Sequence, residues 1–598
     1  SAAALIVSGK TPPLAFDFVN SYYRNSGNDS TFANSLTFTR ASSATMMNSS
    51  GQVVTVANGV NRLGHHIYNS TSNSWVNSGI LIESEARTNY VLDSHLQTTN
   101  NGIGTLGAVR TVFTENDVVS PDGTTNAAKL AGDGSFNTHK AEFYMQGSGT
   151  FGLTDTVTWS VYLKQGTHRY AQIFITDNAG NTNGTINNFY VNVDLQDGTI
   201  LGDLATGAIG THSRIENVGN GWHRVSATLT KQGDNVRTDG GVQFSNAGAA
   251  NSNPTITVGA DDYFYVWGAQ AEVGAAPSSL IPTSGGAATR AAELLTVAAA
   301  KMPWPAISDY VETTGTELIT NGDFSTSDLS LWTAAAGNTI SIVNGRLRVT
   351  RDGSINTYGG ALTDLDVTLG SYYQITIECI SGSISSLHRA RNIYSEGYYG
   401  NNQPSGTYYF KATSSTLRID LNSGSGANSG YFEYDNISLK EIDPPTMSIQ
   451  MSGTMTYADE DLFGSTSHTG AGQATFYRLS AGVIDYIYGG IQTGTTRTGQ
   501  FRINQRKTGA SGSSQVYGTN TDYSPGINVP FKIAARHGAT FINGAVEGTA
   551  LTANTTPTAL PDLSSTNLQL GYDYMGTIGK VVVWNEDIGD TGIASASL

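Results

Sequence analysis

Strand-length segments in which apolar and polar residues alternate recur along most of this sequence. Between residues 96 and 281 they are separated by Gly, Asn and Asp turns and read TVTWSVYLKQG, YAQIFITD, FYVNVDLQDGTI, GWHRVSATLT and YFYVWGAQAEV. Alternation with a period of two is typical of strands with one buried face, and regular turns between such strands are typical of β-sandwiches. We therefore predict an all-β chain of tandem jelly-roll or β-sandwich domains, with short strands at its N-terminal end.

The composition supports this fold class and excludes several functions. Glycine supplies 69 of the 598 residues and charged residues only 13%, a mixture that favours turns and strands over helices. The net charge is −16 and there is no basic run, so we expect no nucleic-acid partner. The apolar runs are too short to cross a bilayer, so we expect no membrane insertion. Cys379 is the only cysteine, which rules out an intramolecular disulfide.

Two proline-containing seams divide the sequence. The first holds Pro277 and Pro282 and ends in a Thr-Arg dipeptide before a new apolar run, and the second is Pro444-Pro445. The segments that precede the seams, DDYFYVWGAQAEV and GYFEYDNISLKEI, share one pattern, which indicates two copies of one sandwich type. We predict four parts: an N-terminal attachment and strand region (1–95), a jelly roll (96–290), a second, inserted jelly roll (311–445), and a final sandwich built from 291–310 plus 446–598.

Several of these segments resemble known families. NGDFS…LW…NGRLRV…FEYDNISL resembles the jelly rolls of carbohydrate-binding modules. FTRASSAT…GILIESEARTNYV and WGAQAEVGAAPSSLIPTSGGAATRAAELLTV resemble bacteriophage and prophage virion proteins, in particular tail-fibre and host-recognition proteins. In that family a carbohydrate-binding-like jelly roll precedes a laminin-G/concanavalin-A-like sandwich, which KIAARHGATFINGAVEG…LQLGY…GTIGKVVVWNEDI resembles. This chain departs from that layout, because a whole jelly roll follows the Thr-Arg linker.

The resemblance implies a virion protein of the tail-fibre or receptor-binding type, exposed on the surface of the extracellular particle. Its partners would be a host-surface polysaccharide, bound through lectin-like sandwich domains, and other phage virion proteins. Two alternatives stay open. One is a virion structural or decoration protein, on the head or the tail, that binds no sugar. The other is a secreted glycan-active enzyme or its accessory module.

The sequence carries no recognisable catalytic motif. None of the ten histidines has the spacing of a HExxH metal pair, and there is neither a Gly-x-Ser-x-Gly elbow nor a phosphate-binding loop. A glycosidase needs two carboxyl groups at a defined separation, but among 48 acidic residues such a pair arises by chance. We therefore expect that the protein is not an enzyme.

A tyrosine-rich segment, RNIYSEGYYGNNQPSGTYY, is the strongest candidate for sugar binding. Aromatic rings can stack on the C–H faces of sugars, and the neighbouring Asn, Gln and Ser side chains can bond hydroxyl groups. We take Tyr394, Tyr398 and Tyr399 as candidate glycan-binding residues. The alternative is that these tyrosines decorate a loop or a subunit contact.

A structural calcium ion is the one cofactor that the resemblance implies. Carbohydrate-binding jelly rolls often hold Ca²⁺ near their first and last strands, and the matching positions are Asn321, Asp323 and Asp435. Calcium prefers several oxygen ligands, which carboxylates and backbone carbonyls supply. The alternative is that Asp323 and Asp435 cap turns.

The resemblance also predicts a homotrimer. Phage fibres of this kind are generally trimeric, and a chain without disulfides benefits from the stability that subunit association provides. Light scattering of the full chain should therefore report about three times the monomer mass of 63.0 kDa. A stable monomer at micromolar concentration would contradict this prediction and favour the decoration role.

Overall fold

The computed structural model describes most of the chain. The described residues are 6–96, 108–143, 151–152, 155–177, 187–207, 209–230, 238–303, 316–354, 360–369, 371–382, 386–392, 398–403, 405–412, 414–423, 429–442, 446–456, 473–492, 500–507, 510–518, 528–558, 560–561 and 563–598.

The chain divides into two compact units. Unit 1 comprises Ser1–Trp304 together with Met447–Leu598, and unit 2 is Pro305–Thr446. Unit 2 is therefore inserted into the sequence of unit 1. No helix in the described part of the chain is both long and apolar enough to cross a membrane.

Strands dominate both units. Before unit 2 they are β1 Leu14–Asp17, β2 Tyr22–Asn25, β3 Asn28–Asp29, β4 Thr37–Thr39, β5 Ala44–Met47, β6 Val53–Val56, β7 Arg62–Leu63, β8 His66–Asn69, β9 Ser74–Asn77, β10 Ile80–Glu83, β11 Arg87–Asn89, β12 Ala108–Val109, β13 Thr111–Val119, β14 Thr125–Gly132, β15 Phe136–Asn137, β16 Lys140–Phe143, β17 Thr156–Gln165, β18 Tyr170–Asp177, β19 Asn187–Asp194, β20 Thr199–Thr206, β21 Ile209–Asn217, β22 Trp222–Thr230, β23 Thr238–Phe244, β24 Ile256–Thr257, β25 Tyr263–Val273, β26 Ala288–Arg290 and β27 Leu294–Val297.

The remaining strands belong to unit 2 and to the C-terminal part of the chain, with β38 beginning at the boundary. They are β28 Thr333–Ala334, β29 Asn338–Val343, β30 Arg346–Asp352, β31 Gly360–Asp366, β32 Tyr372–Gly382, β33 Ser386–Asn392, β34 Tyr398–Gln403, β35 Gly406–Lys411, β36 Thr416–Ser423, β37 Ser429–Ile442, β38 Thr446–Met455, β39 Gln473–Ser480, β40 Tyr486–Gln492, β41 Gln500–Arg506, β42 Ser514–Tyr517, β43 Pro530–Gly538, β44 Ile542–Val546, β45 Thr549–Ala550, β46 Leu568–Tyr572 and β47 Met575–Trp584. Helical structure in the described residues is confined to α1 Phe32–Ser35, a 3₁₀ turn at Ala299–Lys301 and α2 Gly589–Ala596. The predicted all-β fold class is confirmed.

The first sandwich of unit 1 is built from two six-stranded sheets. Their strand orders are β12-β16-β23-β18-β19-β20 and β13-β14-β25-β17-β22-β21. One apolar core takes Ile173 and Val191 from the first sheet and Trp159, Val225 and Val266 from the second. The alternation in YAQIFITD and FYVNVDLQ therefore reflects one face turned toward this core.

The second sandwich of unit 1 has strand β47 at its centre. Strands β1 and β10 lie end to end along one edge of β47, and β38 pairs with the other edge. Val581 and Val583 face the main core, whereas Val582 and Trp584 face a smaller apolar cluster that includes Ile593 of α2. A strand with apolar side chains on both faces is stable only when other elements pack against both faces and exclude water.

The facing sheet of this second sandwich has the order β4-β27-β46-β39-β40-β41-β42. Here β27, which follows the Thr-Arg linker, pairs with β4 from the N-terminal region and with β46 from the C-terminal region. Strands on both sides of residue 95 and on both sides of unit 2 therefore share the two sheets. The short N-terminal strands bury their apolar faces by completing this sandwich.

Unit 2 is a smaller sandwich of two five-stranded sheets. The strand orders are β28-β31-β36-β33-β34 and β29-β30-β37-β32-β35. Its own core takes Leu417 and Ile419 from the first sheet and Ile375, Phe432 and Leu439 from the second. A separate core of this kind is what a self-contained domain requires.

Five buried charged side chains connect the N-terminal region of unit 1 to the linker after the first sandwich. Arg40 Nη1 lies 2.7 Å from Glu293 Oε1, and Arg62 Nη2 lies 2.5 Å from Glu293 Oε2. Arg62 Nη2 also lies 2.8 Å from Glu83 Oε2, and Arg290 Nε lies 3.0 Å from the same oxygen. All five side chains have at most 1% of their surface exposed. We call this set of residues the ion cluster.

Hydrogen bonds from neutral groups complete the ion cluster. The Glu83 amide N–H donates to Glu293 Oε2 at 2.7 Å, and Ser279 donates to Glu83 through its amide and its hydroxyl at 2.7 and 2.6 Å. Burial by itself raises the pKa of Glu83, but Arg290 and Arg62 outweigh it and hold that pKa well below its usual range. Glu83 is therefore charged throughout the ordinary pH range.

Removing one carboxylate from the ion cluster should destabilise unit 1 strongly. In the variant Glu293→Gln, Arg40 and Arg62 keep their charges without an anionic partner on that side, at a cost of about 3 kcal/mol or more. The urea concentration at the unfolding midpoint should be measured for this variant and for the control Glu586→Gln. The control removes an exposed ion pair with Lys10, which contributes less than about 1 kcal/mol to stability. Equal midpoints for the two variants would show that the ion cluster is not structurally important.

The carboxyl group of Asp573 predicts a pH effect. Burial, and then the nearby Glu85, raise its pKa to about 6, although Arg478 opposes them. Because the pKa of Asp573 is higher in the folded state than in the unfolded state, protonation of this carboxyl group favours folding. The stability that protonation provides is fully present below the unfolded-state pKa and is lost as the pH rises through about 6. Asn tolerates the positive φ of 53° at this position. Asp573→Asn should therefore raise the melting temperature by about 2 °C at pH 8 and leave it unchanged at pH 4. An equal gain at both pH values would contradict this assignment.

Candidate functional site

The residues predicted to bind sugar and calcium all belong to unit 2. Tyr398 and Tyr399 are the first two residues of β34, an edge strand, and lie opposite Arg391 and Ala390 of β33. Tyr394 lies outside the described residues. The role of these three tyrosines in sugar binding stays a prediction.

Asn321 and Asp323 line an open groove of about 580 Å³ on unit 2. The groove runs along the outer surface of strands β32 and β37, beside the segment that precedes the first strand of the unit. Polar side chains dominate its lining, and the argument below uses Asn321, Asp323, Gln374, Thr376, Ser438 and Lys440. We call this set of residues the groove.

The wall of the groove forms because the segment before β28 runs antiparallel to β37. Glu317 pairs with Lys440 in an isolated bridge, and its carboxylate accepts hydrogen bonds from the Leu439 amide at 2.8 Å and the Ser438 hydroxyl at 2.6 Å. Ile437 donates its amide N–H to Gly322 O at 3.0 Å. A Cβ at Gly322 would lie 1.9 Å from Ile437 O, so only glycine permits this approach. The glycine of the NGDFS segment is thus explained by packing.

The polar groups of the predicted calcium ligands accept local hydrogen bonds, those of Asn321 and Asp323 in turns and that of Asp435 within β37. Asn321 Oδ1 accepts from the Thr326 amide at 3.0 Å, and Asp323 Oδ1 accepts from the Ser325 hydroxyl at 3.0 Å. Asp435 Oδ1 accepts from the Asn436 amide at 2.8 Å. Within the described ranges, no group of three or more His, Cys, Asp or Glu residues is placed to hold a metal ion. The calcium site therefore stays a prediction.

The floor of the groove presents polar groups from two neighbouring strands. Gln374 lies opposite Lys440 in the register of β32 and β37, and Thr376 lies opposite Ser438. Neither the Gln374 amide nor the Lys440 ammonium group has a hydrogen-bonding or ion-pair partner among the residues whose placement is described. All four side chains are half-buried. They offer donors and acceptors to a ligand while their stems are held by the sheet.

Sequence reasoning missed Gln374, Thr376, Ser438 and Lys440. The signal is the alternation in YYQITIE and NISLKEI, where every second residue is polar and therefore shares the outer face of its strand. That the two segments are neighbours in one sheet is visible only in the structure. A hydroxyl-rich ligand suits this arrangement, since its hydroxyl groups can donate to Asp323 and accept from Gln374 and Lys440.

Comparisons with known proteins give structural likenesses of low identity. No family model matches the sequence, and no curated protein matches it. The CBM40 of the Ruminococcus gnavus IT-sialidase bound to α2,6 sialyllactose is 12% identical, with a TM-score of 0.20; 26% of this chain and 84% of that chain are covered. The leech intramolecular trans-sialidase is 15% identical with a TM-score of 0.20, covering 26% and 23%.

Mouse laminin α1 domains LG4-5 are also similar in part. They are 11% identical, with a TM-score of 0.16, and the match covers 76% of this chain and 88% of that chain. TM-scores this low carry no argument about function. The assignment of the fold class therefore rests on the observed strands and cores.

Proposed function

We propose that this chain is a receptor-binding virion protein of the tail-fibre type, which recognises host-surface glycans through lectin-like β-sandwich domains. The observation that supports the proposal best is the groove on unit 2, where an amide and an ammonium group that have no partner among the described residues lie beside hydroxyls and a carboxylate. Sugars carry hydroxyl groups that donate and accept at once, and such a mixed lining can satisfy both functions.

The proposed mechanism is recognition without catalysis. Each hydrogen bond to a sugar hydroxyl contributes only about 1 kcal/mol net, because the bonds to water must be broken first. A shallow polar groove therefore binds a sugar weakly. Several copies of the chain on the surface of one particle, held there by other virion proteins, would raise the overall affinity through multivalency.

Removal of the Gln374 amide and the Lys440 ammonium group from the groove tests the proposal. In the double variant Gln374→Met/Lys440→Met the side chains keep their approximate length but lose their hydrogen-bonding groups. We expect the full wild-type chain to bind at least one member of an array of bacterial surface polysaccharides, and the double variant to lose at least about tenfold in affinity, equivalent to about 1.4 kcal/mol.

The matched control is Lys301→Met, which removes an ammonium group from unit 1 and should bind as the wild type does. Equal binding by the double variant and the control would contradict the role of the groove. A wild-type chain that binds no polysaccharide on the array but is present in purified particles would instead support the structural or decoration role.

A further inference from the structure

Unit 1 contains a second concave site, a cleft of about 530 Å³. Three parts of the unit line it: the hairpin β8–β9, the edge strand β21 of the first sandwich, and strands β38, β43 and β47 of the second sandwich. We call it the cleft and define it by Ile67, Val76, Glu216, Asn217, Ser452 and Asn528. None of these residues belongs to the groove on unit 2.

One wall of the cleft is a hairpin that is fixed by Trp75 and contributes Ile67 and Val76 to the lining. The Trp75 ring fills the space above two glycines, since a Cβ at Gly51 would lie 2.0 Å from Trp75 Cε2 and a Cβ at Gly219 would lie 2.4 Å from Trp75 Cζ2. The Tyr68 ring packs against Trp75 with ring centroids 5.3 Å apart. Trp75 therefore joins the hairpin to the first sandwich. On the other face of the hairpin Ile67 lies opposite Val76, whose surface is 48% exposed.

The opposite wall is polar and has an unmet hydrogen-bonding group. Asn528 donates its side-chain N–H to Glu216 Oε1 at 2.5 Å, and its backbone N–H to Met455 O at 2.7 Å. Asn528 Oδ1 is buried and has no hydrogen-bond partner within the described part of the chain. A buried acceptor without a partner is unfavourable, and a donor from a ligand in the cleft would relieve that cost.

The floor of the cleft leaves space for a ligand. Ser452 and Gly579 belong to the adjacent strands β38 and β47. A Cβ built at Gly579 would meet nothing closer than 3.7 Å, where it would contact Ser452 and Val19. The charged groups of the lining, Glu216 and Lys532, are of opposite sign. A neutral ligand therefore fits this lining better than a strongly charged one.

From these observations we propose that the cleft binds a neutral pyranose unit of a glycan. A pyranose ring has an apolar C–H face, which suits Ile67 and Val76, and hydroxyl edges, which suit Glu216, Asn217 and Asn528. A volume of a few hundred Å³ is the usual size for small-ligand sites. The inference deepens the proposed function, because it gives one chain two separate saccharide sites and hence avidity without a second subunit.

Filling the floor of the cleft tests this inference in the full-length chain. Gly579→Leu extends a side chain into the space above Ser452, and Gly579→Ala is the matched control, because its methyl group meets only ordinary contacts. Ser452→Gln fills the same floor from the neighbouring strand, in case Gly579→Leu does not fold. The probes are cellotriose, maltotriose, xylotriose and chitotriose, with saturation-transfer NMR to detect binding and titration to measure affinity.

We expect at least one trisaccharide to bind, with affinity at least about tenfold lower in Gly579→Leu and in Ser452→Gln and unchanged in Gly579→Ala. Binding lost only in Gln374→Met/Lys440→Met would overturn the cleft and leave the groove standing. Loss of trisaccharide binding in the cleft variants alone would support the cleft as the sugar site and would contradict sugar binding by the groove. The inference would be overturned if the wild-type chain bound none of the four trisaccharides, or if both cleft variants folded and bound with wild-type affinity.

Discussion

The ion cluster is the interaction on which the arrangement of unit 1 depends most. Glu83 and Glu293 each form ion pairs with two of the three arginines Arg40, Arg62 and Arg290, and all five side chains are buried. Charges of this kind are costly to bury, and their attraction compensates only when every partner is in place. The cluster therefore favours the single arrangement in which all its chain segments meet. Through Ser279 it also holds the linker that ends the first sandwich, and so it helps to set the position of that sandwich beside the second.

Both proposed binding sites are consequences of segments that meet without being neighbours in sequence. The cleft exists because an N-terminal hairpin, a strand of the first sandwich and three C-terminal strands come together around it. The groove exists because the segment before β28 lies along β37, more than a hundred residues later. In each case a glycine permits a close approach, Gly322 in the groove and Gly51 beside the cleft. The local sequence thus permits the close packing, whereas the topology of the sheets brings together the segments that form each site.

The strands could be predicted because their signal is local. YAQIFITD alternates apolar and polar residues, and it forms β18 with Ile173 and Ile175 in the core. The pairing of β1 and β10 with β47 could not be predicted, because β47 lies about 565 residues after β1 and about 500 residues after β10, and many apolar strands compete for each place. The ion cluster could not be predicted for the same reason. GILIESEAR and TRAAE both carry the family resemblance, but nothing in either segment shows that Glu83 and Glu293 both form ion pairs with Arg62. For the groove, the resemblance to carbohydrate-binding modules implies a calcium-binding role for Asn321 and Asp323, which stays a prediction, and the hydrogen bonds of their side chains within turns are visible only in the structure.

The most direct test of glycan recognition is a crystal structure of the full chain with an oligosaccharide derived from a polysaccharide that it binds. We predict sugar density in the groove, with hydroxyl groups within hydrogen-bonding distance of Gln374 and Lys440. A complex without sugar density in the groove would contradict recognition at this site, even if the chain bound the sugar in solution.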